Sequence, residues 1–140
     1  MERDFAAPPS ALWAALTDVD LLLAWHPLRA VRADVRPGGV IEFWDAEGGV
    51  ALGRITECQA GRLLAYIEDD ADSIDFLLAP TATGAALRLT HCFDDGDAAG
   101  YAAAWHLCLD ALEEALTGAA PADRLAPRAV IEHFRGRLGS

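Results

Sequence analysis

The sequence predicts an α+β grip: an antiparallel sheet of six to seven strands covered by one long C-terminal helix, with two short helices between strands 1 and 2. Three observations predict it. From Gly38 to Cys92, apolar runs alternate with turn signals at Pro37-Gly38-Gly39, Glu47-Gly48-Gly49, Ala60-Gly61, Asp69 to Asp72 and Thr83-Gly84. From Ala98 to Thr117, Tyr101, Trp105, Cys108, Leu109, Leu112 and Leu116 recur at the spacing of an amphipathic helix. Ahead of the meander, Pro8-Pro9-Ser10 opens a helix that places Leu12, Trp13 and Leu16 on one face.

In chain order, Asp4 to Ala7 reads as a first strand and the Pro8 helix follows it. Asp18 is a helix N-cap for Val19 to Ala24, and Pro27 forbids continuation of that second helix. Strands are expected at residues 29–36, 40–46, 50–59, 62–68, 73–79 and 85–93. Their connections are too short for parallel crossovers, so neighbours pair antiparallel. A sheet with one apolar face must bury it, and a helix of about 20 residues spans roughly 30 Å, enough to cover the sheet. Gly118 ends that helix. The domain therefore runs over residues 1–118, and 119–140 form a tail in which Val130, Ile131, Phe134 and Leu138 suggest a docked extra helix.

Composition narrows the function. With 53% hydrophobic and 24% charged residues, the chain has material for a real core. All eleven basic residues are Arg, which removes mechanisms that need a Schiff-base or phosphate-loop lysine. A net charge of −11 argues against a nucleic-acid surface. No apolar run is long enough to span a membrane, and Met1-Glu2-Arg3-Asp4 opens with charge, so a cytoplasmic location is expected. Cys58, Cys92 and Cys108 are odd in number and widely spaced, as reduced thiols are. The acidic runs 69–72 and 94–97 read as solvated turns without the spacing of a calcium loop. His91, Cys92, His106 and Cys108 could meet at a metal only in a special register of strand and helix that Trp105 and Leu89 already claim, and no phosphate loop or dinucleotide fingerprint occurs, so neither a metal nor a cofactor is expected.

Several residues could still carry chemistry. Period-two alternation puts Leu87, Leu89, His91 and Phe93 on one face of the last strand, and the apolar company turns that face inward. His91 is then either a proton-transfer group in a cavity or a hydrogen-bonded core histidine. Trp105 lies on the helix stripe, with His106 at its border and Tyr101 one turn earlier. In the third strand both faces carry large apolar groups, so two registers stay open. One turns Glu42 and Trp44 inward as a carboxylate beside an indole; the other turns Ile41 and Phe43 inward and leaves Glu42 solvated. Arg54, Tyr66, Glu68 and Asp75 share this ambiguity. A serine triad has little raw material, and His91 and Cys92 point to opposite faces.

The pattern resembles the SRPBCC superfamily of START-like, birch-pollen-allergen-like helix-grip domains. Phe5-Ala6-Ala7-Pro8, Leu12 to Asp18, Trp25, Arg36-Pro37-Gly38-Gly39, Gly53 and Arg62-Leu63 are similar to its branch of activator of heat-shock protein 90 ATPase homologue-like domains. So are Gly100-Tyr101, Trp105-His106 and Leu109 to Leu112, although Ala104 replaces a glycine usual there and Trp25-His26-Pro27 replaces a longer connection. The likeness covers residues 2–118. It implies the helix-grip fold, a curved antiparallel sheet wrapped around the long C-terminal helix, with Ile74, Phe76 and Leu78 inward and Asp75 outside. It also implies a cavity between helix and sheet that in relatives holds lipids, polyketides, hormones or aromatic metabolites. The expected function is binding of a small apolar or aromatic molecule by Trp25, Trp44, Tyr66, Phe76, His91, Tyr101 and Trp105, with His91 and Glu42 as catalytic candidates. Alternatives are a co-chaperone-like protein-interaction domain, tied to stress response, and a polyketide cyclase- or dehydratase-like enzyme. Homodimerisation is compatible with the tail's apolar stripe.

Overall fold

The structure is a computed structural model, and it describes residues 1–45, 47–93 and 97–117. The elements follow as β1 (Glu2–Phe5), α1 (Pro9–Thr17), α2 (Val19–Leu22), β2 (Arg29–Ala33), β3 (Val40–Trp44), β4 (Val50–Gln59), β5 (Leu63–Glu68), β6 (Asp72–Pro80), β7 (Ala85–Cys92) and α3 (Ala98–Thr117). All seven strands join one antiparallel sheet in the order β1-β7-β6-β5-β4-β3-β2. The curved sheet and the long helix against it make a helix-grip α+β fold. The extra tail helix expected after Gly118 lies outside the described residues, as does most of the 94–97 turn.

Local chemistry sets most boundaries. Pro9 takes the first turn of α1, where a missing N–H costs nothing. Asp18 caps α2 by accepting from the N–H groups of Asp20 and Leu21. The helix stops at Leu22, two residues earlier than the pattern predicts, because Ala24 N–H and Trp25 N–H turn to carbonyls three residues back. β1 begins at Glu2 and not at Asp4, since Glu2 to Phe5 pair with Arg88 to Ala85. β2 ends at Ala33, short of residue 36. The chain beyond it turns through Gly38 at φ +82°, and Gly38 N–H donates to the Ile55 carbonyl.

The concave face carries Ile41, Phe43, Ile55, Leu64, Tyr66, Ile74, Phe76, Leu78, Leu87 and Leu89, all buried. Helix α3 lays Tyr101, Ala104, Trp105, Cys108, Leu109 and Leu112 against it. Each large apolar side chain buried this way contributes about 1.5–3 kcal/mol. The third strand's register is thereby decided. Ile41 and Phe43 point in at 1% exposure each, whereas Trp44 is 44% exposed. Among described residues, no helix is long and apolar enough to cross a membrane.

Candidate functional site

Between β7 and the first turns of α3 lies a cavity of about 220 Å³. Leu89, His91 and Phe93 form its sheet side, Ala98, Tyr101, Ala102 and Trp105 its helix side, and Met1 closes one edge. Alternation along β7 delivers the first three to one face, and the helical repeat brings Ala98, Tyr101, Ala102 and Trp105 to one stripe. Tyr101 packs its ring 4.8 Å from that of His91 and 4.5 Å from that of Phe93. The wall is therefore aromatic, with polar atoms at its floor.

That floor is a hydrogen-bonded chain. His91 Nε2 lies 3.0 Å from Asp72 Oδ2, and Trp105 Nε1 donates to His91 Nδ1 at 3.0 Å. An indole N–H can only donate, so Nδ1 must be unprotonated and the proton sits on Nε2, which donates to Asp72. Both side chains are buried, His91 at 5% and Asp72 at 9% exposure. The chain joins β6, β7 and α3 across the sheet-to-helix boundary. Asp72, expected in a solvated turn, instead begins β6 on the concave side and is buried.

The other candidates divide between core and outer surface. Trp25 is buried, donates from Nε1 to the Ala15 carbonyl at 2.8 Å, and packs edge-on against Phe76. Tyr66 and Phe76 belong to a closed circuit of rings, in which His26, Phe43, Tyr66, Phe76 and Trp105 follow one another at 4.6, 6.1, 6.2, 6.1 and 6.1 Å. Glu42 and Trp44 are corrected out of the cavity. They sit together on the outer face, where Trp44 Nε1 donates to Glu42 Oε2 at 2.8 Å and Arg32 faces the same carboxylate at 3.5 Å. The reason is cross-strand packing: Phe43 stacks on His26 and leans over Gly53, which fixes the opposite face outward. His106, at the border of the stripe, meets Arg3 of β1 at 3.0 Å, and Arg3 also holds Asp110 at 2.7 Å.

Sequence reasoning missed one interior polar group, His26, and left the register of a second, Glu68, open. His26 is buried, stacks 4.6 Å above Phe43, and uses Nδ1 toward the backbone of Leu28. Desolvation lowers its pKa to about 4, with the Leu28 bond opposing in part. Glu68, at 3% exposure, is pushed up to about 8 by desolvation first and then by the charges of Asp72 and Asp69. Burial likewise raises the Tyr66 phenol and the Cys108 thiol. The signal for Glu68 was available in principle, since it shares a strand face with Tyr66, but the inward face of β5 could not be chosen from its sequence. No cluster of metal-ligating side chains occurs among the described residues.

A family model described as Activator of Hsp90 ATPase homolog 1-like protein matches residues 6–117. Among solved structures, the chain is similar to a protein of Chromobacterium violaceum at 25% identity, covering 83% of this chain and 94% of that one, with a TM-score of 0.73. A Mesorhizobium loti protein shares 23% identity over 86% of this chain and 97% of its own, with a TM-score of 0.72. The Aha1 dimer of Colwellia psychrerythraea shares 21% identity over 86% and 96%, with a TM-score of 0.74. No functionally curated protein matches the sequence.

Proposed function

Since the chain belongs to the family of Activator of Hsp90 ATPase homolog 1-like proteins, a branch of the SRPBCC superfamily, we propose that it binds a small apolar or aromatic molecule in the cavity between β7 and α3. The observation that carries this reading is the 220 Å³ space itself, walled by Tyr101, Trp105, Phe93 and Leu89. Pockets for drug-sized ligands run from about 300 to 1,000 Å³. A space below that range suits a molecule of one or two rings. Binding is preferred to turnover because His91, the titratable group at the floor, already has both ring nitrogens engaged by Asp72 and Trp105. A cyclase- or dehydratase-like step would first have to release one of them.

Native mass spectrometry of the protein purified from its own host, set against its denatured mass, tests the reading. A retained adduct of a few hundred daltons, lost from His91→Ala or Tyr101→Ala protein that still folds, is the expected result. A clean apo mass, together with unmoved Ala98 and Ala102 amide signals when indole is added, would refute it.

A second reading is a co-chaperone-like protein-interaction domain, in keeping with the family's name. Trp44, Val50 and Leu52 favour it, since they lie exposed on the outer face of β3 and β4. Pairing of two copies belongs to the same reading, and the Colwellia relative is a dimer. An unchanged ATPase rate of heat-shock protein 90 on adding the domain would count against it, and sedimentation reads the oligomeric state.

A further inference from the structure

The bond between Trp105 and His91 joins the helix side of the cavity to its sheet side, and both residues line it. Hydrogen-bonding capacity can be counted there atom by atom. An indole has one donor, and it goes to His91 Nδ1 at 3.0 Å. A neutral imidazole has one acceptor and one donor. The acceptor takes the indole proton, and the donor, Nε2–H, goes to Asp72 Oδ2 at 3.0 Å. Asp72 itself stands behind the wall, outside the lining, and is buried. At the rim, the amino group of Met1 donates to the Leu89 carbonyl at 2.9 Å. Apart from the Tyr101 hydroxyl, the remaining side chains of the lining offer ring faces and methyl groups.

We propose that the Trp105–His91–Asp72 chain makes the cavity selective for aromatic hydrocarbons, rings with no hydroxyl or carboxylate group at the end that meets the floor, and that His91 and Trp105 are its specificity-determining residues. The inference rests on the reading that the cavity holds a small molecule, and it names that molecule's class. A hydroxyl taken out of water loses its hydrogen bonds, and a floor whose donors and acceptors already serve one another returns none. A methyl group in its place loses nothing. A carboxylate loses more, since the described lining holds no arginine to meet it. Opening the chain reverses the logic. Trp105→Phe leaves Nδ1 without its donor, and His91→Phe leaves the indole N–H without its acceptor. In either protein a phenol hydroxyl supplies the missing half, because it both donates and accepts. Removing both partners leaves a floor with neither need.

Toluene, phenol and benzoate are titrated into the full chain, and the ¹⁵N NMR shifts of the Ala98 and Ala102 amides read each affinity. Toluene and phenol are nearly the same in size and shape, so their ratio cancels changes of cavity volume and reads the hydroxyl alone. The wild type is expected to bind toluene about ten-fold tighter than phenol, with benzoate weaker than either. Trp105→Phe and His91→Phe should each move the ratio toward phenol by about ten-fold, and the double variant should return it to the wild-type value. Trp105→Phe keeps the bond between His91 and buried Asp72, so it carries the test even where His91→Phe does not fold. In the wild type, a ¹⁵N–¹⁵N coupling between Trp105 Nε1 and His91 Nδ1 should persist when toluene saturates the site. Phenol binding as tightly as toluene, benzoate binding tighter, a ratio that Trp105→Phe leaves unmoved, or a coupling that toluene abolishes each overturns this inference while the cavity reading stands. Probes that leave Ala98 and Ala102 unmoved overturn both.

Discussion

Replacing Glu68 by glutamine removes one titration from the interior and keeps the shape of the protonated acid. In the unfolded chain the carboxyl ionises near its ordinary 4.5, whereas in the fold it holds its proton up to about 8. Between those values the folded state binds one more proton than the unfolded state, so stability falls as pH rises, by about 1.36 kcal/mol per pH unit. At pH 7 the wild type has lost about 3 kcal/mol on this account, and at pH 8 about 4 kcal/mol. The side chain is fully buried, so solvent screening does not reduce the figure. His26 acts with the opposite sign. Its folded pKa near 4 lies below its ordinary 6.5, so stability is complete above 6.5 and is lost as pH falls toward 4. From pH 4.5 to 6.5 the two slopes cancel, and the pair leaves the wild type flat there and declining from 6.5 to 8. Urea unfolding followed by tryptophan fluorescence at pH 5, 6, 7 and 8 reads the effect. The free-energy difference between Glu68→Gln and wild type should grow by about 3–4 kcal/mol from pH 5 to pH 8, because other groups titrate alike in both proteins. Any cost of placing an amide there is independent of pH and only offsets the curve. A difference that stays level across this range would mean that Glu68 ionises in the fold as it does in water, and the account of the buried carboxyl would fail.

The register of β3 predicts an asymmetry between neighbours: Phe43→Ala should cost about 3–5 kcal/mol and Trp44→Ala within about 0.5 kcal/mol by chemical denaturation, the reverse order refuting the inward face. Gly53→Ala forces a methyl group against the fixed rings of Tyr66 and Phe43 and should destabilise by about 1–3 kcal/mol, with a lowered thermal midpoint; an unchanged midpoint would show that the rings yield freely.

The outline of the fold is legible in local sequence because its causes are local. Asp18 caps α2 wherever a chain with that spacing goes, Pro9 suits only a first turn, and the stripe from Tyr101 to Leu116 specifies a helix of α3's length without reference to the sheet. The site is less legible. His91, Tyr101 and Trp105 could be found because strand alternation and helical periodicity each pointed to an inward face, and the cavity forms where those two faces meet. Glu42 and Trp44 could not be placed, because β3 carries large apolar groups on both faces and period-two alternation is silent when both faces look apolar. Asp72 was hidden by its company: four residues of acidic text read as a turn, and only pairing of Asp72 with Glu68 carries it into the sheet.

What the sequence by itself determined is therefore the set of elements, their antiparallel connection and the long helix that must cover the sheet. What only the tertiary structure decided is which face of β3 and β5 turns inward, and hence that His26 and Glu68 are buried while Trp44 faces solvent. The physical reason is that secondary structure follows from interactions within a few residues. The charge state and partners of a buried side chain instead depend on desolvation by groups from β3, β4, β5 and α3, which the fold alone brings together.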